Sequence, residues 1–189
     1  PRITIQNIYS EKKIKTSVTN FKSMKIREGQ KKDMPAVLML IKELAAFEKE
    51  PEAVILTVDD LIRDGFGENS LFHTFVAFVN DEANDSKQTE EIVGVALYYY
   101  RYSTWKGRTI HLEDLIVKEK MRGSGIGKAL YKEVIAQGKK DKVNRIEWAV
   151  LDWNTTAIDF YEKSGAKVLK DWRVAQMDKN GIDNFLTSL

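Results

Sequence analysis

The chain has 189 residues, 43% hydrophobic and 31% charged, which suits one globular domain with or without an arm and excludes global disorder. Cysteine is absent and there are two histidines, His73 and His111. This removes disulfides, thiolate catalysis and cysteine- or histidine-rich metal sites, and it suits a reducing, cytoplasmic setting. The net charge of +2 divides into +7 over residues 1–32 and −5 over residues 33–189. The acidic body argues against nucleic-acid binding and fits a cationic ligand.

Residues 1–23 form a basic arm, read as a solvated tail. The first thirty residues lack the apolar core of a secretory leader, and no run approaches the ~18 apolar residues that a membrane span requires. Residues 24–29 alternate apolar and polar and predict a strand. Asp33 offers an N-cap and Pro35 sits in the first turn of a helix over 34–49, whose Val37, Leu38, Leu40, Ile41, Leu44 and Ala45 recur at helical spacing. Thr57 and Asp60 resemble a capping box for a short helix over 58–64, with Gly65 as its stop.

Residues 73–80 and 92–102 are rich in Val, Phe and Tyr and predict strands, joined by a polar surface loop over 80–91. The run Tyr98-Tyr99-Tyr100 places aromatics on both faces. A further strand covers 109–117, and a helix opens at the glycine cluster 123–127 and runs to about Gln137. A strand over 144–151, a helix over 155–164 stopped by Gly165, and a last strand over 172–178 complete the order. The pattern predicts an α+β (mixed α/β) fold with helices on both faces of a twisted sheet. His73 and His111 are read as strand residues, and spacing suggests no carboxylate or serine partner for either.

The strongest local signal is Arg122-Gly-Ser-Gly-Ile-Gly-Lys128 between a strand and a helix. Three glycines let the backbone turn sharply and aim several N–H groups at one anion. A Walker A loop would need Gly at 122 and Ser or Thr at 129, where Arg122 and Ala129 stand. The dinucleotide fingerprint fails at Lys128 and Leu130, and a nucleophile elbow around Ser124 lacks its flanking glycines. What survives is R-x-x-G-x-G on Arg122, Gly125 and Gly127.

R-x-x-G-x-G after a strand resembles the acyl-CoA pyrophosphate loop of the GNAT superfamily of N-acetyltransferases. Lys42 to Glu48, Asp64-Gly-Phe-Gly67, Tyr102 to Ile110, Leu112-Glu-Asp114, Ala149 to Asn154 and Phe160-Tyr161 with Gly165-Ala166 resemble the diamine acetyltransferase family. The Ser103-Thr-Trp-Lys-Gly-Arg108 and Val150-Leu-Asp-Trp-Asn154 segments look most like its thialysine N-epsilon-acetyltransferase branch. The resemblance covers residues 24 to about 178, and implies a GNAT-like, mostly antiparallel sheet in an acetyltransferase domain over 24–189.

The resemblance also implies acetyl-CoA as cosubstrate with no metal, and a homodimer. It puts the pyrophosphate on Gly123, Ser124, Gly125, Ile126, Gly127 and Lys128 with Arg122 before them. It pairs the pantetheine arm with the backbone of Leu115, Ile116 and Val117, and gives Asn154 a cofactor contact. Tyr161 falls near the thioester sulfur, Glu113 faces the amine, and Phe47 with Glu48 form the substrate wall.

These roles are chemically coherent. An alkylammonium of pKa near ~10.4 cannot attack until it loses a proton, and a carboxylate such as Glu113 can accept it. Strand alternation puts Glu113 and Asp114 on opposite faces, so that at most one of them is buried. Tyr161 can donate to the departing thiolate. Trp105 is a turn anchor or a cation–π partner for the amine. The sequence expectation is direct transfer to a small primary amine, thialysine-like or a related amino acid, in a ternary complex. No cysteine and no serine elbow is present for an acyl-enzyme. The alternatives are diamine or polyamine acetylation and a non-catalytic acyl-CoA-binding sensor, against which an acid–base pair argues.

Overall fold

The computed structural model describes residues 24–81 and 89–187, so the basic arm and the tip of the polar loop lie outside the described residues. Five strands form one sheet in sequence order: β1 Met24–Glu28, β2 His73–Asp81, β3 Thr89–Ser103, β4 Gly107–Val117 and β5 Ile146–Glu147. The first four pair antiparallel and β5 joins β4 in parallel. The helices are α1 Met34–Phe47, α2 Val58–Phe66, α3 Ile126–Lys140, α4 Thr155–Lys163 and α5 Lys179–Thr187. The chain divides into two compact units, one ending at Trp148 and one starting at Ala149. The sheet and α1–α3 belong to the first, and α4 and α5 to the second.

In the first unit the sheet is covered on both faces. Met34, Val37, Leu38 and Leu40 of α1 and Leu61 of α2 pack with Val76, Phe78, Ile92, Val95 and Ile116 of the strands. Alternation turns Gly94, the neighbour of Val95, to the other face, where α3 lies. A Cβ at Gly94 would stand 3.0 Å from Leu130 Cδ1 and 3.3 Å from Ile126 Cγ2, so glycine lets α3 approach closely. Buried Ile126, Leu130, Tyr131 and Val134 form the inward stripe of α3.

Several local readings change. Asp33 does not cap α1. Its buried carboxylate accepts from the Arg27 guanidinium at 2.6 and 3.0 Å and from the Gln30 N–H at 2.8 Å, closing a 3-10 turn before the helix. The charged fork of Arg27 outcompetes helix N–H groups for that carboxylate. The Thr57–Asp60 box does form, with Asp60 N–H donating to Thr57 Oγ1 at 3.1 Å and Thr57 N–H to Asp60 Oδ2 at 3.0 Å. Helix α2 then runs past Gly65 to Phe66, with Gly67 as its cap. The loop over 80–91 is shorter than expected, because Thr89, Glu90 and Glu91 pair with Asp81, Asn80 and Val79.

The expected strand over 144–151 is reduced to Ile146–Glu147. The expected strand over 172–178 is not formed: those residues carry no ladder, and Trp172, Val174 and Met177 stay exposed. Alternation marks a half-buried strand only where a partner edge accepts it. In the second unit, α4 starts at Asn154, whose Oδ1 accepts from Ala157 N–H at 3.2 Å. It ends at Gly165, where φ is 95°. The unexpected α5 carries a Lys179–Asp183 pair one turn apart.

Candidate active site

The sheet is irregular where the site residues lie. Along β3 and β4 the register runs Leu97↔Asp114 and then Tyr98↔Leu112, which leaves Glu113 without a partner on β3. This β-bulge breaks the alternation that the sequence predicts. Glu113 and Asp114 therefore both line one cavity of about 550 Å³, instead of facing opposite sides of the sheet. The rest of the wall comes from Ile41 of α1, the α1–α2 connection (Ala53 to Leu56), Asp60, Leu61 and Asp64 of α2, Leu71 and Phe72, and Leu97 and Tyr99 of β3.

The two carboxyls differ in burial. Burial, then the charges of Glu113 and Glu48, push Asp114 up to about 6. Glu113 has an exposed side chain and contacts His111 Nε2 at 3.5 Å. Glu48, at the end of α1, is also pushed up by burial. A carboxyl titrating near neutrality is well matched to taking a proton at physiological pH, because it is ionised yet more basic than an ordinary aspartate.

The sheet also opens beside these residues. Strand β5 pairs with β4 only at Ile110↔Ile146 and His111↔Glu147. No strand of the described residues pairs with that edge of β4 from Leu112 to Val117, so the Leu115–Val117 stretch is left with an open edge on that side. An extended amide-bearing chain can pair with such an edge by β-addition.

The edge leads into the glycine loop. Gly123 and Gly125 have φ of 78° and 87°, and a Cβ at either would meet nothing within 4 Å. Glycine is needed there for the left-handed backbone rather than for space. Ser124 Oγ donates to Met121 O at 2.5 Å and pins the turn. The first N–H groups of α3, on Ile126, Gly127 and Lys128, have no partner within the helix, and the helix dipole favours an anion at that end. A Cβ at Gly127 would make only ordinary contact, 3.7 Å from Val117 Cγ2, so the protein's own packing leaves room above these amides. The loop fits a pyrophosphate on this ground.

Arg122 is turned back toward α1. Its Nε donates to Val117 O at 3.2 Å, Nη2 lies 3.6 Å from Glu43 Oε1, and the guanidinium stands 5.1 Å from the Phe47 ring centre. Phe47 therefore sits against the loop arginine, while Glu48 acts on Asp114. Trp105 is not in the cavity wall. It lies at the β3–β4 turn, 80% exposed. Ser103 Oγ, in the same turn, accepts from the N–H groups of Trp105 and Lys106 at 3.3 and 3.2 Å. In the second unit, Tyr161 is buried on α4 with its ring tilted against Phe160 at 5.3 Å. Asn154 spends its Oδ1 on the helix cap, so a cofactor contact would fall to its amide nitrogen.

Some wall residues were missed by sequence reasoning. Asp60 and Asp64 are four apart on α2, a spacing that puts both on one face. Only the capping role of Asp60 was read. His111 and Glu113 are two apart on one strand, so the absence of a carboxylate partner expected for His111 is corrected. Tyr99 was one of a run of three tyrosines, and only the register shows which of them reaches the cavity.

The acetyltransferase (GNAT) family model matches residues 38–166. The chain is 42% identical to a thialysine N-epsilon-acetyltransferase of Bos taurus over 146 residues, 77% of this chain and 85% of the relative. It is 38% identical to a spermidine/spermine N(1)-acetyltransferase-like protein of Homo sapiens over 78% of this chain and 21% of that longer protein. Among solved structures, an integron cassette protein of V. cholerae matches in fold with a TM-score of 0.67 at 22% identity, covering 87% of this chain and 98% of the other. Motif, fold and relatives agree: the chain belongs to the acetyltransferase (GNAT) family and is an acetyl-CoA-dependent N-acetyltransferase.

Proposed function

We propose that the enzyme acetylates a small primary amine by direct transfer, with acetyl-CoA and the amine bound together. The observation that carries this reading is the bulge at Glu113, which brings a near-neutral carboxyl, Asp114, to the same cavity as a second acid. The amine enters as an ammonium, and Asp114 takes its proton with Glu113 alongside. The freed nitrogen attacks the thioester carbonyl. Tyr161 donates to the departing thiolate, a role taken from the family motif. Arg122 and the Gly123–Lys128 loop hold the pyrophosphate, and the Leu115–Val117 edge, with Asn154, holds the rest of the cofactor. Phe47 and Glu48 are given to the amine side by the family motif, Glu48 acting there through its charge on Asp114. The domain extends over 24–189 behind the arm 1–23, acts as a homodimer, and works in the cytoplasm.

Relatives that bear the thialysine name support a thialysine-like amino acid as substrate. A second reading, a diamine or polyamine, is favoured by one feature of the cavity: its wall holds Asp60, Asp64, Glu113 and Asp114 and no lysine or arginine. Lys106 and Arg108, candidate partners for a substrate carboxylate, lie at the β3–β4 turn outside that wall. A panel of thialysine, lysine, ornithine, putrescine and spermidine, read by thiol release from acetyl-CoA, tests both. Higher kcat/KM for thialysine supports the first reading, and a clear preference for spermidine replaces it with the second. Cofactor binding without amine-dependent thiol release would refute amine acetylation itself.

A further inference from the structure

His111 stands on β4 two residues before Glu113, with its side chain 17% exposed. Its Nδ1 lies 3.1 Å from Nη1 of Arg101. Arginine only donates, so Nδ1 accepts and the neutral ring carries its proton on Nε2. That Nε2 faces Glu113 Oε2 at 3.5 Å. Arg101 is held in turn by Glu147 Oε1 at 2.7 Å, and Arg145 Nε holds the other Glu147 oxygen at 2.8 Å. Tyr99 tilts its ring against the imidazole at 5.2 Å and hydrogen-bonds Glu113.

The groups that face His111 are thus Tyr99 and Arg101 of β3, Glu113 of β4 and Glu147 of β5. Burial, with Arg101 acting in the same direction, holds the imidazole below its usual range against the pull of Glu113 and Glu147. The ring is therefore neutral at physiological pH, and its orientation is fixed by Arg101, a residue outside the cavity wall.

We propose that His111 is a positioning residue for the acid pair: locked by Arg101, it presents Nε2–H to Glu113 and holds that carboxylate in place beside Asp114. A fixed N–H beside a carboxylate, which only accepts, favours one of its rotamers. Without that donor the Glu113 side chain turns away more readily, and the pair loses its fixed arrangement in the cavity. The inference rests on the amine-acetylation reading, so its test has one arm that needs no catalysis.

That arm is ¹⁵N NMR of the full chain at pH 7.5, with His73→Gln to assign the two imidazoles. Nε2-protonated His111 is the expected tautomer, and an Nδ1-protonated ring overturns the proposal whether or not the enzyme turns over. The second arm is kcat and KM for the preferred amine and for acetyl-CoA in wild type, His111→Gln and His111→Phe. Glutamine keeps an N–H donor. In His111→Phe, kcat/KM for the amine should fall ~5–10-fold with the KM for acetyl-CoA within about twofold of wild type, and His111→Gln should restore most of the loss. Equal behaviour of the two variants, lowered or not, overturns the proposal. If His111→Phe does not fold, Arg101→Met, which releases the tautomer lock and leaves Glu147 paired with Arg145, should give the same loss, and an unchanged kcat/KM there counts against it.

Discussion

Asp114→Asn tests the site through stability and turnover together. The carboxyl is pushed from its ordinary 3.8 up to about 6, first by burial and then by Glu113 and Glu48. Between roughly pH 4 and pH 6 the folded protein holds a proton on Asp114 that the unfolded chain has lost. Stability therefore falls as pH rises through that window. At 1.36 kcal/mol per pH unit, the ionised aspartate costs the fold ~2–3 kcal/mol above pH 6. Asparagine has nearly the same shape and cannot ionise. Asp114→Asn should therefore be more stable than wild type at pH 7.5, by up to ~2–3 kcal/mol or roughly 5–10 °C in Tm, with the gain shrinking toward pH 4. Turnover should fall ~10²–10⁴-fold with the loss of the proton acceptor. Urea unfolding at pH 7.5 and 4.5 and a thiol-release assay read both quantities. A gain over wild type that is no larger at pH 7.5 than at pH 4.5 would refute the desolvated carboxylate. Retention of wild-type turnover would move the proton acceptor to Glu113.

Gly125→Ala puts a side chain on a backbone with φ of 87°, costing ~1–2 kcal/mol, and crowds the anion site. The KM for acetyl-CoA should rise at least ~10-fold while the KM for the amine stays within about twofold; an unchanged cofactor KM in the folded variant would remove the loop from pyrophosphate binding. Tyr161→Phe keeps the contact with Phe160 and should lower kcat with little change in either KM, whereas a loss confined to amine KM would place Tyr161 in the substrate wall. Gly94→Ala sets a Cβ 3.0 Å from both Leu130 Cδ1 and Ile116 O, and should destabilise by ~1–3 kcal/mol in urea unfolding. A neutral result would mean that α3 can shift without cost.

Most of the fold is legible in the sequence, because most elements carry their own signal. The stripe of α1, the Thr57–Asp60 box, the Val-rich runs of β2 and β3 and the glycines before α3 are each decided within a few residues. Residues 144–151 and 172–178 show the limit. Both carry aromatic and β-branched residues that favour strands (Ile146, Trp148 and Val150; Trp172 and Val174), yet only Ile146 and Glu147 pair, because a ladder depends on a partner edge that the segment's own residues do not encode. Asp33 fails as a cap for a related reason: Arg27, six residues earlier, offers its carboxylate a stronger donor.

The geometry of the candidate site depends on one extra residue in β4. From the sequence, Glu113 and Asp114 are neighbours on a strand, and neighbours on a regular strand face opposite ways, so that only one of them should reach the amine. The bulge instead turns both carboxyls to one cavity, where burial pushes Asp114 up to about 6. No residue at 112–114 announces the bulge. The departure of β5 after His111 leaves β4 paired on one side only, where the ladder can absorb an irregularity. The same departure opens the Leu115–Val117 edge, which the proposed function gives to an extended cofactor arm. A single interruption of the sheet thus accounts for both the open edge and the paired acids of the proposed site, and it sets them within a few residues of each other along the same strand.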